Sequence, residues 1–387
     1  MPDDTTAPLE RPIVSVIIVT WRAGSSIREA LTSIAGSARP PRLEIVVVLN
    51  GAGDAGRAAV AESGVDAVVV DLEVNTGYGY ACNAGAAAAS ADAEYLLFFN
   101  DDAVAEPDML RNLVDAAELP VDGHPVGAVA AVLLNEDGTI QEAGSRVLTD
   151  AGTLQFGSGS TLDEATAAGL LRRREIDYGS GAALLIRRDA FSSLGGYDPR
   201  YTPAYYEDVD FALRLKSVGR STVLEPTARA VHRAGGSTET ERRFRDFAAG
   251  RSGDAFRARW ARTLADAPEA DEPVGALCPA LGMDPDDDPV AKPDDRAPLA
   301  IGLGIVQDYS AWLNRRLDDC ESAVVSTRHA LDVSREETCA ATEHAAEVGR
   351  RAGELGERLN ELEHRGLVGI AKWRIGAMMR HRAARQS

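Results

Sequence analysis

Lysine is almost missing from this chain. Only Lys216, Lys292 and Lys372 occur, so 38 of the 41 basic residues are arginine. Against 60 Asp and Glu they leave a formal charge of −19. That sign excludes general nucleic-acid binding, which relies on a positive surface to displace counterions from phosphates. It does not exclude a small anionic ligand, because a divalent metal inverts the local charge. Long hydrophobic runs are also missing. Residues 13–19 and 126–134 are strand-length and fall short of the roughly 18 apolar residues of a spanning helix. The opening Met1-Pro2-Asp3-Asp4-Thr5-Thr6 carries neither the basic nor the apolar region of a secretory signal. Cys82, Cys278, Cys320 and Cys339 form no C-x-x-C pair, so neither a zinc site nor a disulfide framework is indicated, and a reducing cytosol suits them. Aromatics are few at 5%, yet a 45% hydrophobic fraction over 387 residues gives a real core and more than one typical domain.

Charge is unevenly placed. Residues 364–387 hold six cations and no acid, which leaves −25 on the first 363 residues. Residues 1–11 read as a disordered N-terminus. Residues 12–262 alternate short β-branched runs with Ala-rich, helix-like stretches. Residues 13–19, 44–49, 65–70 and 95–99 read as strands, and 26–34 as a helix. Continuous apolar strands alternating with helices predict an α/β domain whose mostly parallel central sheet is covered on both faces. Residues 263–298 are rich in Pro, Asp and Ala and read as a linker. Residues 299–363 place Val306, Leu313, Leu317, Cys320, Val324, Leu331, Val348, Leu355, Leu359 and Leu362 on one a/d heptad frame. Thr327, Ser334, Thr338, Ala341 and Ala345 are its weak positions. This predicts an α-helical C-terminal region, either a coiled coil or a hairpin. The tail, 364–387, sets Leu367, Ile370 and Trp373 among its cations and reads as a basic amphipathic segment, suited to an anionic membrane, to a partner helix or to a solvated charged end.

In open α/β sheets, ligands sit beyond the carboxyl ends of strands. Four clusters occupy such places. Thr20-Trp21 follows the first strand, with Asn50 and Asp54 after the second. Asn75-x-Gly77-Tyr78-Gly79 precedes Asn83-x-Gly85. Glycines there allow close backbone approach and amide side chains can hydrogen-bond a ribose or phosphate, although a tight strand-to-helix connection uses the same residues. Asn100-Asp101-Asp102 ends an apolar strand abruptly. Such oxygen ligands suit Mg²⁺ or Mn²⁺, and they equally suit a turn. Glu207, Asp208 and Asp210 open a helix, where they favour the macrodipole; at a cleft, one carboxylate serves as a general base. His232, after a strand expected at 222–224, is either a packed histidine or an extra imidazole ligand.

In this order and spacing the clusters resemble glycosyltransferase family 2, the inverting nucleotide-sugar transferases of GT-A fold. The subgroup most resembled is the rhamnosyltransferase-like enzymes of cell-surface polysaccharide assembly. The resemblance runs from about Ile13 to Ser237. Its most specific part comprises Gly181-Ala182-Ala183-Leu184-Leu185-Ile186-Arg187-Arg188, Gly195-Gly196-Tyr197-Asp198, Tyr206-Glu207-Asp208-Val209-Asp210, and Pro226 to His232. It implies a GT-A-like nucleotide-binding domain over 12–262. By position, Asn100-Asp101-Asp102 matches the family's D-x-D-like motif, which puts Asp102 on the metal and Asn100 where many relatives carry the first Asp. Asp208 matches the catalytic base, Glu207 a residue orienting acceptor or base, and His232 a histidine that completes the metal shell. Thr20, Asn50, Asp54, Asn75, Gly77, Asn83, Asn100 and Asp101 are the candidates for contacting the nucleotide sugar. The chain departs from the pattern twice. Trp21-Arg22 stands where relatives often carry Tyr-Asn, and Leu49-Asn50 where they often carry Asp-Asn, so the acid expected at the nucleotide base is absent.

The implied activity is metal-dependent, inverting transfer of a sugar from a nucleoside-diphosphate sugar, dTDP-rhamnose or a UDP-sugar, to a glycan or lipid-linked acceptor. The cofactor is Mg²⁺ or Mn²⁺. The implied location is cytoplasmic, with peripheral contact at the inner face of the plasma membrane through the tail and a homo-oligomer through the helical region. Two other classes compete. A sugar-nucleotide-binding scaffold without turnover is disfavoured by the presence of both Asp102 and Asp208. A nucleotidyltransferase needs a basic phosphate-gripping loop near the first strand, where only Arg22 stands.

Overall fold

The computed structural model describes residues 13–22, 24–38, 40–233, 239–269, 290–292, 294–364, 372–374 and 376. The predicted N-terminal segment 1–11, the middle of the predicted linker and most of the basic tail lie outside the described residues. Twelve strands follow in chain order: β1 (Ile13–Thr20), β2 (Arg42–Asn50), β3 (Val68–Leu72), β4 (Tyr95–Asn100), β5 (Ala103–Ala105), β6 (Val126–Leu134), β7 (Ile140–Glu142), β8 (Ser145–Val147), β9 (Thr153–Gln155), β10 (Arg174–Ile176), β11 (Ala183–Arg187) and β12 (Ser221–His232). The helices are α1 (Ser25–Ala35), α2 (Gly53–Glu62), α3 (Tyr78–Ala88), α4 (Met109–Ala117), α5 (Leu162–Ala167), α6 (Arg188–Ser193), α7 (Glu207–Ser217), α8 (Glu239–Arg259), α9 (Ala261–Leu264) and α10 (Pro298–His364).

The main sheet runs β10-β12-β6-β11-β4-β1-β2-β3, with β5 beside β12 and β7 beside β6. β3, β2, β1 and β4 are mutually parallel, and so are β6 and β12. β11 is antiparallel to both β4 and β6, so its neighbours point the same way. Six carboxyl ends, those of β1, β2, β3, β4, β6 and β12, therefore share one edge of a mostly parallel sheet.

β1 shows why the sheet is covered on both faces. It is buried from Val14 to Thr20. Successive side chains point to opposite faces. Val14, Val16 and Ile18 join a core layer with Ile27, Leu31 and Ile34 of α1 and Leu110 and Leu113 of α4. Ile17 and Val19 join the other layer, with Ala81 and Cys82 of α3. Burial of each such aliphatic side chain contributes about 1.5–3 kcal/mol. Helix α3 lies close to the sheet because Gly85 has no side chain: a Cβ there would stand 2.5 Å from Ile17 Cγ2.

Three boundaries differ from the sequence reading. β3 begins at Val68 rather than residue 65, where its ladder with Val46 of β2 starts. β12 continues through Pro226 to His232, its pairing with β6 shifting register between Glu225 and Arg229. The ends of the predicted linker pack on the domain: Leu264 and Ala267 join Trp260 and Phe256 in a third cluster, and the Ala291 amide donates to the Leu194 carbonyl at 2.9 Å.

The chain divides into two compact units, the first ending at Ser310 and the second beginning at Ala311. The helical prediction for 299–363 takes the form of one continuous helix, α10, and no hairpin forms within it. In the second unit no side chain from Asn314 to Glu361 is buried. Among the described residues no helix is long and apolar enough to cross a membrane.

Candidate active site

At the shared carboxyl edge lies a cavity of about 1360 Å³. It is lined by Asn50, Asn75, Gly77, Asn100, Asp101, Asp102, Glu207, Asp208 and His232 among others, so most of the sequence-selected residues meet in one place. Three do not. Thr20 is fully buried and its hydroxyl donates to the Arg22 carbonyl at 2.8 Å. Asp54 is exposed in the first turn of α2, away from the cavity lining. Asn83 is used by the fold: its Nδ2 donates to the Tyr197 carbonyl at 2.8 Å and its Oδ1 accepts from the Tyr197 amide at 2.9 Å. An amide side chain facing a backbone peptide satisfies both partners.

Asn50 has a different task from a base-binding acid. Its Oδ1 accepts from the Thr76 amide at 2.8 Å and the Thr76 hydroxyl at 3.0 Å, while its Nδ2 reaches Asn75 Oδ1 and the Gly77 carbonyl at 3.2 and 3.3 Å. The buried amide thus holds the 75–77 turn that opens α3. Gly77 is required there, since its φ is +87° and a Cβ would stand 2.4 Å from the Pro203 carbonyl oxygen.

Asp102 and His232 are brought together by a short ladder invisible to hydrophobic periodicity. β5 begins one residue after Asp102 and runs antiparallel to the end of β12, pairing Ala103 with His232. The Arg233 amide extends the ladder, donating to the Asp102 carbonyl at 3.0 Å. His232 Nε2 then lies 3.2 Å from Asp102 Oδ1 and 3.1 Å from Asn100 Nδ2. A carboxylate oxygen and an imidazole nitrogen converging on one point suit Mg²⁺ or Mn²⁺ when a ligand's phosphate oxygens complete the shell. Among the described residues no group of three His, Cys, Asp or Glu side chains converges in this way.

The second acidic group comes from the start of α7. Asp208 Oδ2 accepts from the Gly181 amide at 3.1 Å and Oδ1 from the Val209 amide at 2.8 Å. Burial raises its carboxyl above the usual range, and these amides oppose the rise. Glu207 is more deeply buried and its Oε2 has no hydrogen-bond partner. Burial, then the charge of Asp208, pushes its carboxyl well up. Two like charges this close oppose each other's ionisation. Both follow Tyr205 and Tyr206, which adopt φ of +72° and +69°. Two successive left-handed side-chain-bearing residues cost about 1–3 kcal/mol each and persist where the surroundings hold them. Here Ser252 of α8 does so, its hydroxyl donating to the Ala204 carbonyl at 2.8 Å, while the Tyr206 hydroxyl donates to the Ala151 carbonyl at 3.0 Å.

Sequence reading missed several cavity residues. Glu142 is buried beside Ser180, whose amide donates to its Oε1 at 3.0 Å, and burial pushes its carboxyl up to about 7. Gln141, outside the cavity lining, touches His232. Tyr78, already inside a recognised motif, places its hydroxyl 3.2 Å from Asn100 Oδ1 and 3.0 Å from the Gly181 carbonyl. Leu299, Leu303 and Val306 at the start of α10 line the cavity although they stay exposed. Of the three, the sequence names only Val306, and there as a position of the coiled-coil seam.

Residues 15–195 match the family model for Glycosyl transferase family 2. The match covers just under half of the chain and runs from β1 into the residues after α6. Among curated proteins, the O-antigen biosynthesis protein RfbC of Myxococcus xanthus is 30% identical over 233 residues, which are 59% of this chain and 18% of that much longer protein. The N-acetylglucosaminyl-diphospho-decaprenol L-rhamnosyltransferase of Mycobacterium tuberculosis is 26% identical over 243 residues, 58% of this chain and 78% of that one. Among solved structures, the mannosyltransferase PcManGT from Pyrobaculum calidifontis in complex with GDP-Man and Mn²⁺ is 21% identical, with a TM-score of 0.47 over 65% of this chain and 66% of that one.

Proposed function

We propose that the chain is an inverting glycosyltransferase that moves a sugar from a nucleoside-diphosphate sugar to a hydroxyl of a glycan or lipid-linked acceptor. One observation carries the reading: the Asp208 carboxylate and the Asp102–His232 pair line the same cavity, beside the 75–77 turn. The donor's diphosphate would lie at Asp102 and His232, and its nucleoside beside Asn75 and Gly77. An acceptor hydroxyl has a high pKa and must lose its proton as the anomeric carbon becomes cationic. Asp208 takes that proton while the new C–O bond forms, and the old C–O bond breaks with its electron pair leaving on the diphosphate. A single base opposite the leaving group gives direct displacement with inversion. Glu207 orients the acceptor or the base. A Mg²⁺ or Mn²⁺ held by Asp102 and His232 would act as a Lewis acid toward the diphosphate charge.

The L-rhamnosyltransferase name of the mycobacterial relative supports dTDP-rhamnose as the first donor to test and a UDP-sugar as the second. Nucleoside diphosphate release is measured from a panel of nucleotide sugars, with and without Mn²⁺ and acceptor. Release of nucleoside diphosphate supports the reading. Release of pyrophosphate makes the protein a nucleotidyltransferase, and tight binding without any release makes it a scaffold.

We further infer a cytoplasmic location, with membrane contact through the tail 364–387, which lies mostly outside the described residues. Loss of flotation with anionic liposomes on deleting 365–387 tests the contact. The second unit supports pairing with a second copy of the chain. Leu317, Val324, Leu331, Val348, Leu355 and Leu359 share one a/d seam and are 51–63% exposed. In a parallel, in-register pair Arg316 at position g meets Glu321 at position e of the second copy, and no like-charged g–e pair arises through residue 356.

A further inference from the structure

The ring nitrogens of His232 have different surroundings. Nδ1 lies 2.6 Å from Gln141 Oε1, while Nε2 faces Asp102 and Asn100. Which nitrogen carries the proton depends on which way the Gln141 amide is turned. Its neighbours decide that. Gln141 Nε2 lies 3.3 Å from Asn135 Oδ1 and 3.3 Å from the His232 carbonyl oxygen. Both are acceptors, so the nitrogen of the amide must face them. Asn135 is fixed in turn, because its Nδ2 donates to Thr139 Oγ1 at 3.0 Å and toward the Ile140 carbonyl at 3.5 Å. The chain of hydrogen bonds starts at backbone carbonyls, which cannot reverse. It ends with Gln141 Oε1 as an obligatory acceptor.

We propose that Gln141 is a positioning residue that locks neutral His232 in the Nδ1–H tautomer, leaving the Nε2 lone pair aimed at Asp102. In that state two acceptors, Nε2 and the Asp102 carboxylate, stand 3.2 Å apart, an arrangement that favours a cation between them. The Asn100 amide, 3.1 Å from Nε2, donates to the lone pair when no cation is bound. Hydrogen bonds of this kind to ligating imidazoles fix both tautomer and ring orientation, and their loss weakens metal binding about 10–100-fold. Gln141 is suited to the task by its place on β7. That strand pairs with β6, which pairs with the β12 that carries His232, so the two side chains are held by one sheet. The proposal rests on the reading of Asp102 and His232 as a metal pair, and it adds a residue outside every motif that led to that reading.

Two measurements on the full chain separate the ideas. The first is the ¹⁵N spectrum of the His232 ring in metal-free protein at a pH where the ring is neutral, assigned by its loss in His232→Gln. Wild type is expected to show the Nδ1–H tautomer, Gln141→Ala a mixture, and Gln141→Glu, which keeps an acceptor oxygen, the wild-type form. An Nε2–H tautomer in wild type, or an unchanged spectrum in Gln141→Ala, overturns the proposal. The second is Mn²⁺ affinity of the same proteins by electron paramagnetic resonance, with dTDP or UDP present to supply the phosphate oxygens. Weakening of 10–100-fold in Gln141→Ala, with recovery in Gln141→Glu, is expected. If wild type binds Mn²⁺ and Gln141→Ala binds it equally well, the positioning role fails. If wild type fails to bind Mn²⁺, the metal reading falls, and the tautomer spectrum still decides the role of Gln141.

Discussion

The Gly181 amide donates to Asp208 Oδ2 over 3.1 Å, joining the residues before β11 to the first turn of α7 across 27 positions of sequence. This bond and the Val209 amide favour the charged form of a carboxylate that burial would otherwise neutralise. Asp208→Asn keeps the shape and part of the hydrogen bonding but cannot accept a proton. We expect it to retain melting temperature and nucleotide affinity while losing about 10²–10⁴-fold in turnover. Glu207→Gln, which keeps the side chain's size and hydrogen-bonding capacity, should lose far less. Sugar transfer by Asp208→Asn near the wild-type rate would remove Asp208 from the mechanism.

Much of this site was legible in the sequence. The apolar run of β4 ending in Asn100-Asp101-Asp102 marks a strand's carboxyl end without any structure, and α7's Glu-Asp pair stands out by its charge. What sequence could not supply is pairing. The ladder between β5 and β12 that sets His232 beside Asp102 is three residues long and carries no periodic signal. Nor could it separate ligand contacts from scaffolding: Asn50, Asn75 and Asn83 look alike in sequence, yet Asn83 holds Tyr197 and Asn50 holds the turn on which Asn75 sits. Amide side chains serve backbone and ligand with the same atoms, so only geometry tells the uses apart.

Asp210 lies one turn behind this pair and is fully buried, as is its partner Arg214, whose Nε donates to Asp210 Oδ2 at 2.6 Å. The Tyr201 hydroxyl and Trp260 indole donate to Oδ1 at 2.9 and 3.0 Å, and Arg259 Nε lies 3.1 Å away. Asp210→Ala leaves buried cations without their counter-charge and should destabilise the fold by about 3–5 kcal/mol. Chemical denaturation measures it. A loss under 1 kcal/mol would mean that water or rearrangement replaces the carboxylate.

Gly302 brings α10 against Val74 and Asn75, at the turn that opens α3. A Cβ there would stand 2.8 Å from Val74 Cγ2 and 3.2 Å from the Asn75 carbonyl oxygen. Gly302→Val should therefore cost about 1–3 kcal/mol of stability by overpacking and weaken nucleoside diphosphate binding as the 74–75 turn shifts. Unchanged melting temperature and unchanged affinity would show that α10 does not bear on the turn.

Glu142 supplies a pH signature distinct from turnover. Burial, with the nearby Asp208 charge, holds its carboxyl at about 7, against the Ser180 amide and His232, which act the other way. The folded state thus keeps a proton that the unfolded chain releases near the ordinary glutamate value. Its stabilising contribution is complete below that value and is lost as pH rises through about 7. Measured without metal by chemical denaturation, the unfolding free energy of wild type should fall relative to Glu142→Gln between about pH 5 and 7.5, by up to about 1.4 kcal/mol per pH unit. Parallel pH profiles for the two proteins would show that Glu142 titrates normally.

The helical seam makes a geometric prediction that uses the chain's own cysteines. On the a/d frame Cys320 occupies a d position and Cys339 a b position, and both thiols are exposed. Two parallel, in-register copies put the Cys320 side chains across the seam from each other and the Cys339 pair on outer faces. Disulfides need Cβ atoms about 3.5–4.5 Å apart, so mild oxidation should link two chains through Cys320 alone. The covalent dimer should vanish in Cys320→Ser and persist in Cys339→Ser. An antiparallel pair would move Cys320 away from its own copy and yield no such link. A chain that sediments as a monomer at tens of micromolar, with no link through Cys320, would leave the seam without a second copy.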